Sequence, residues 1–363
     1  MIRVAQVMGK MNFGGVEASV MNYYRNIDRT KVQFDFIVDS DSECPQKEEI
    51  ELLGGKVIFV PPYQQMKSYI TTLIDIFKKE KYDIVHAQLT TMSVFPLYAA
   101  KKAGIKVRIA HSHNTANRVE WKKNILKNAL RPFSKKYATH YFACSELAGR
   151  YLFGNKAFNK GNITVINNSI DFNKFKFNEE KRNIIRTKYG LNKNFVVGHI
   201  GRFVKQKNHM KLIEIFYSLL KERKDAKLIL IGEGPLQKNV EEKVKKLNIQ
   251  DNVLFIGTVS NPYDYYNAMD VFLLPSLYEG LPVVGVEAQI NGLKCLFSDN
   301  ITKEAKISDN TFFLPIKNIK EWIEKLDECD NNRNITKIEL DSYNIEIQAN
   351  ILEKKYFDIS KAL

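Results

Sequence analysis

Short β-rich runs alternate with stretches of helical period along this chain, and the alternation happens twice. From the amino end, "IRVAQVM" leads into a glycine-bearing loop, "GKMNFGG", then a helical period over Val16 to Tyr24, and "VQFDFIV" reads as the next strand. The pattern continues through "KVIFV", a helix near Tyr69–Lys79, "DIVHAQ", "KVRIAHSH", "THYFACS" and "ITVINNSID". It then pauses at "NKFKFNEEKRNIIRTKYGLNKN", which is polar and charged and reads as a connection. A second alternation starts at "FVVGHIGRF" and runs through a helix at Met210–Glu222, "AKLILIGEG", a helix near Gln237–Leu247, "VLFIGTV" and "VFLLPS". Strands separated by helices predict parallel sheets covered on both faces. The expected fold is therefore α/β, with two doubly wound units at about 1–172 and 173–344. The tail, "YNIEIQANILEKKYFDI", has helical spacing. A chain of 363 residues also exceeds what one hydrophobic core usually supports.

Charge is distributed unevenly. Of the net +14, residues 1–178 carry +12 and the remainder +2. A basic first half fits an acidic partner: nucleic acid, an anionic membrane surface or a phosphorylated substrate. It also fits a merely solubilising surface. No run approaches the roughly 18 apolar residues of a spanning helix, and the amino-terminal residues lack the layout of a signal peptide. Cys44, Cys144, Cys295 and Cys329 are widely spaced without a CxxC pair, so they read as reduced, unligated thiols of a cytosolic protein.

The chemistry-bearing residues fall at strand ends. Gly14 and Gly15 lie between the first strand and the first helix, where glycine lets a backbone approach a ligand and helix amides face an anion. Two glycines alone fit a plain turn better, and the dinucleotide pattern GxGxxG is absent. "GRFVKQKNH" supplies Arg202, Lys205 and Lys207, an arginine fork and point charges suited to a diphosphate or to a solvated basic loop. "LIGEGPLQ" puts Gly232 and Gly234 at another strand end, with Pro235 where a helix could start.

In "LPSLYEGLPVVGVEAQ" the strand gives way to a turn, and Pro282 is a plausible first helical residue. The amides of Gly280, Leu281, Val283 and Val284 would then face a phosphate. Glu279 precedes the turn, and Glu287 lies more than a helical turn beyond it. Among Val283, Val284, Val286 and Ala288, a carboxylate at 287 is costly unless paired or ligand-bound. A nucleoside diphosphate sugar would use both carboxylates and the amides between them.

"EGLPVVGVE", "GRFVKQK" and "GEGP", in their order here, resemble the retaining nucleotide-sugar glycosyltransferases of family 4, of the GT-B fold with two Rossmann-like domains facing a central cleft. "GKMNFGGVE", "HSHN", "CSE" and "VINNSIDFNKF" extend the resemblance over nearly the whole chain, closest to enzymes of bacterial capsule, exopolysaccharide or O-antigen assembly. The resemblance implies that Arg202 and Lys207 hold the donor diphosphate, Glu287 the ribose and Glu279 the transferred sugar. It implies that Gly14 and Gly15 approach the diphosphate from the first domain, and that His111 sits beside the sugar. His113 could be the matching histidine instead, and Glu146 of "CSE" is a further candidate. Ser169 stands where a glycine is common in the family, a departure that bears on the interdomain turn and not on the chemistry.

The same resemblance implies retention by same-face attack, with a hexose or N-acetylhexosamine donor, UDP-linked by family habit. No DxD metal motif is evident, so no cofactor or metal is expected: Arg202, Lys207 and helix amides would meet the leaving charge. The acceptor would be a lipid-linked saccharide on the first domain, with the helix at about 345–363 returning to that domain. "RVEWKKNILKNALRPFSKK" interleaves seven basic residues and one acidic residue with Trp121, Ile125, Leu126, Leu130 and Phe133. Such a segment can lie on an anionic membrane, or be an ordinary domain helix. The expected place is the cytoplasmic face of the membrane, and no nucleic-acid module is evident. The rival readings are a GT-B sugar-nucleotide epimerase and a non-catalytic basic binding protein.

Overall fold

The computed structural model describes residues 1–12, 14–113, 130–279, 281–329, 333 and 341–361. The chain divides into two compact units, Met1–Ser169 with Asp341–Leu363, and Ile170–Leu340.

The first unit is built on seven parallel strands: β1 (Ile2–Gly9), β2 (Val32–Asp39), β3 (Val57–Val60), β4 (Ile84–Ala87), β5 (Val107–Ser112), β6 (His140–Ala143) and β7 (Ile163–Val165). Their spatial order is β3-β2-β1-β4-β5-β6-β7. Successive side chains point to opposite faces, so each strand feeds two cores. Val4, Phe34, Phe36, Ile84 and Ile109 pack on one side, and Ala5, Val7, Ile37, Val85 and Ala110 on the other. The final helix, Ile345–Lys361, puts Ile345, Ala349, Leu352 and Tyr356 into the first of these cores at helical spacing.

The second unit repeats the scheme with β8 (Phe195–Ile200), β9 (Ala226–Ile231), β10 (Val253–Gly257), β11 (Val271–Leu274), β12 (Lys294–Ser298) and β13 (Thr311–Leu314), in the order β10-β9-β8-β11-β12-β13. All pairings are parallel. The runs that become β12 and β13 had not been named as strands in the sequence. The order reverses between β1 and β4 in one sheet and between β8 and β11 in the other. Such reversals open a crevice at the carboxyl ends of the strands, where open α/β sheets hold ligands.

One expectation is corrected. The polar stretch after Asp171 is not a bare connection: it contains helices at Phe172–Phe175 and Glu179–Lys188. The second is capped by Asn178, whose side chain accepts from the Lys181 amide, and it packs on the Pro262–Ala268 helix. Its charged residues are internal partners. Arg182 and Arg186 both bind Asp270, at 2.5 and 3.1 Å, and Asp270 also accepts from the Val196 amide.

Candidate functional site

In the second unit, the reversal between β8 and β11 brings two loops together. Lys207, after β8, places Nζ 2.7 Å from Oε1 of Glu279, after β11. Side chains and backbone fasten the loops to each other: Gln206 donates to Glu279 Oε2 at 3.0 Å, Ser276 donates to Glu279 Oε1 at 3.0 Å, and the Leu277 amide donates to the Gln206 carbonyl. Asn208, in the left-handed region that asparagine tolerates, donates to the Pro275 carbonyl. Glu279 is thus a fixed carboxylate with three donors around it, and Lys207 is aimed by it. Arg202 is exposed, and among the described residues its guanidinium has no ion-pair or hydrogen-bond partner. Lys205 is likewise exposed.

Gly232 and Gly234 line the neighbouring strand end, after β9. Gly232 has φ +125°, and a Cβ there would stand 2.4 Å from the Gly201 carbonyl oxygen. A Cβ on Gly234 would stand 2.7 Å from the Phe203 carbonyl. These glycines let the two loops touch backbone to backbone. Pro235 is not helical: the helix begins at Gln237, because the loop first pairs with Phe203 through its Phe203–Glu233 and Leu236–Phe203 hydrogen bonds.

Leu281 is buried, and Pro282 is the residue before the Val283–Ile290 helix rather than its first member. The proline carbonyl accepts from Gly285 and Val286, and no side chain caps the helix. The amides at this end are therefore those of Val283 and Val284, which suit an anion. Gly280 lies outside the described residues.

Glu287 sits on this helix and is 9% exposed. Tyr266 donates to its Oε2 at 2.7 Å and also reaches the Val284 carbonyl. Burial pushes the carboxyl up to about 7, while the Tyr266 hydrogen bond and the positive charge of Lys207 hold it down. Lys207 consequently acts on both glutamates, by contact with one and through its field on the other. Neither Tyr266, Gln206 nor Ser276 had been marked in the sequence, where nothing shows which tyrosine or amide a fold will bring to a carboxylate.

In the first unit, Gly14 precedes the Gly15–Asn26 helix at its uncapped start, after β1. A Cβ on Gly14 would meet the Glu17 carboxylate at 2.4 Å. His111, at the end of β5, and His113 just beyond it are both buried, and their rings stack at 4.1 Å. The ring of His86 on β4 is nearly parallel to that of His111, with centroids 5.1 Å apart, and its Nε2 lies 3.0 Å from His111 Nδ1. These rings, with Gln6, Gln88 and Tyr356, line a cavity of about 20 Å³, room for one water-sized group. Burial holds His86 and His113 down at about 3 and pushes His111 well below the ordinary imidazole range, which favours the neutral form of all three.

Glu146 is exposed in the first turn of its helix and paired with Arg150 at 2.5 Å. Ser169 is buried and bonds Tyr23 Oη at 3.0 Å. In the basic amphipathic stretch, Trp121, Ile125 and Leu126 lie outside the described residues, while Phe133 is exposed in a 3₁₀ turn. All four cysteines are buried, and none is in a disulfide. Among the described residues, no helix is long and apolar enough to cross a membrane, and no group of three His, Cys, Asp or Glu is arranged to hold a metal ion.

Comparison with known proteins gives this geometry a context. Residues 13–174 match Glycosyltransferase Family 4, and residues 181–343 match Glycosyl transferases group 1. The putative glycosyltransferase EpsF of Bacillus subtilis is 37% identical over 308 residues, 83% of this chain and 80% of the relative. The UDP-Gal:alpha-D-GlcNAc-diphosphoundecaprenol alpha-1,3-galactosyltransferase of Escherichia coli is 28% identical over 65% of this chain and 62% of its own. HepE of Anabaena, solved in complex with UDP and glucose, superposes with a TM-score of 0.80 at 17% identity, covering 100% of both chains.

Proposed function

Because this chain belongs to the family 4 glycosyltransferases and is a transferase of the GT-B fold, we propose that it moves a hexose or N-acetylhexosamine, with retention, from a UDP-sugar to a lipid-linked saccharide. The product would be a growing surface polysaccharide. The observation that carries this reading is the Lys207–Glu279 pair at the β8/β11 reversal, beside an uncapped helix start and the buried Glu287. The substrates in the name of the Escherichia coli relative support both halves, a UDP-linked donor and a diphosphoundecaprenol-linked acceptor.

In this reading the donor diphosphate lies against Lys207, Arg202 and the amides of Val283 and Val284. As the bond from anomeric carbon to diphosphate breaks, negative charge grows on the leaving oxygen; Lys207, aimed by Glu279, and the helix amides are oriented in advance to meet it without a metal, and Arg202 adds a further positive charge. Glu287 accepts from the ribose hydroxyls, and Glu279 accepts from a hydroxyl of the transferred sugar. The acceptor hydroxyl attacks the face the diphosphate leaves, and the diphosphate takes its proton, so no protein nucleophile is required. The basic first half would hold the enzyme on the cytoplasmic face of an anionic membrane, where lipid-linked acceptors are found.

Two measurements test this. Thermal unfolding against UDP-, GDP- and dTDP-sugars should show stabilisation by the UDP class, about 2.7 kcal/mol at 100 times the dissociation constant. Incubation with UDP-sugars and an undecaprenyl-diphosphate-linked saccharide should give an extended lipid product whose new linkage keeps the donor's anomeric configuration. No stabilisation by any nucleotide sugar would overturn the donor assignment; conversion of the donor sugar without transfer would replace the transferase by an epimerase.

A further inference from the structure

The histidine row in the first unit has a direction that can be read from its hydrogen bonds. Tyr356, on the final helix, accepts from Gln6 Nε2 at 3.2 Å, so its single proton is free for His86 Nδ1, 2.7 Å away. A neutral His86 that accepts at Nδ1 carries its proton at Nε2, and that N–H points at His111 Nδ1, 3.0 Å away. His111 must then carry its own proton at Nε2. A second branch orients His113: Gln88 donates to Gln6 Oε1 at 2.8 Å, so Gln88 Oε1 accepts, and His113 Nε2 donates to it at 2.6 Å. That leaves His113 with a bare Nδ1. His111 Nε2 and His113 Nδ1 are the two ring nitrogens of the row that find no partner among the described residues, and both are buried.

We propose that Tyr356 and His86 are positioning residues that fix His111 as an N–H donor at Nε2, and that His111 therefore serves the transfer reaction as a hydrogen-bond donor and not as a base. The last helix, remote in sequence, sets the tautomer two rings away. The cavity beside the row, about 20 Å³, admits one hydroxyl-sized group. An N–H from His111 and a lone pair from His113 are complementary to a hydroxyl, which both accepts and donates. The kinetic half of this inference rests on the transferase reading above; the tautomer half does not.

The experiment separates the two halves. Two-bond ¹H–¹⁵N spectra of the full-length protein, with each histidine assigned by substitution, report which ring nitrogen is protonated. His111 should be protonated at Nε2 in the wild type, and Tyr356→Phe, which removes one oxygen and keeps the ring, should move that proton to Nδ1. An Nδ1–H at His111 in the wild type, or a tautomer indifferent to Tyr356→Phe, overturns the relay whether or not the protein transfers sugar.

In the transfer assay, Tyr356→Phe should lower kcat roughly tenfold with little change in KM for the donor. His86→Gln in the same chain should restore most of it, because a glutamine amide can donate to His111 Nδ1 without Tyr356. A merely structural tyrosine predicts a lower unfolding temperature, an unchanged kcat and no rescue, and that result would overturn the positioning role.

Discussion

Lys207 and Glu279 follow different strands of the second sheet, yet their side chains meet at 2.7 Å, each largely buried. The contact makes one unit of two residues: the carboxylate aims the ammonium, and the two opposite charges compensate each other where solvent access is small. Lys207→Ala is expected to lower kcat by about 10²-fold, since it removes a fixed positive charge from a site where negative charge develops. Glu279→Gln should also lower it, and the double substitution should cost less than the product of the two. The coupling from a double-mutant cycle is expected at roughly 1–3 kcal/mol. Strictly additive losses would mean that the two residues act on different parts of the donor.

Glu287 gives a pH signature with a defined sign. Its carboxyl titrates near 7 in the fold, above the ordinary carboxylate range, because burial disfavours the charged form. The fold thus favours the protonated state. This contribution to stability is fully present below the ordinary carboxylate range and is lost as pH rises through about 7. The unfolding temperature of the ligand-free protein should carry a component that falls between about pH 4.5 and pH 7, and Glu287→Gln should lack it. Donor affinity should run the other way, rising with pH as the carboxylate becomes available to hydroxyl groups, and should be flat in the same variant. Removing the Lys207 charge should move both transitions to higher pH.

How much of this was legible in the sequence depends on whether the signal was local. The alternation of β-rich runs and helical periods announced the doubly wound units, and strand ends rich in glycine, lysine and glutamate marked where to look. The short strands Lys294–Ser298 and Thr311–Leu314 were missed, having few residues and no clean alternation. The Glu179–Lys188 helix reads as linker in the sequence because the stretch is polar and charged, whereas its arginines turn inward to Asp270. His86, Tyr266 and Tyr356 could not have been chosen from the sequence. Each matters only through a partner that the sheet order or a returning helix brings within 3 Å.

Gly232 tests the backbone contact between the loops after β8 and β9. At φ +125°, with a Cβ that would stand 2.4 Å from the Gly201 oxygen, an alanine is strained both in its own backbone and against its neighbour. Gly232→Ala is expected to cost about 1–3 kcal/mol of stability. It should also lower activity beyond that loss, by displacing the loop that carries Arg202 and Lys207. Chemical denaturation together with the KM for the donor checks this. An alanine variant with unchanged KM would show that the loop keeps its position without the close approach.

Asp270 sits at the other end of the second sheet, away from the carboxyl ends of its strands, and its role is stability. It binds Arg182 and Arg186 and accepts from the Val196 amide on β8, so one side chain ties the Glu179–Lys188 helix to the central strand. Burial lowers the Arg186 guanidinium from its ordinary value, and the Asp270 carboxylate is what opposes that shift. Asp270→Asn leaves two arginines facing each other without their counter-charge. Breaking a buried pair by removing one partner typically costs about 3–5 kcal/mol, because the remaining charge stays desolvated. The expected result in urea denaturation is a loss of that size, with the pH dependence assigned to Glu287 intact. A loss below about 1 kcal/mol would place this cluster among the weakly coupled ion pairs of the surface.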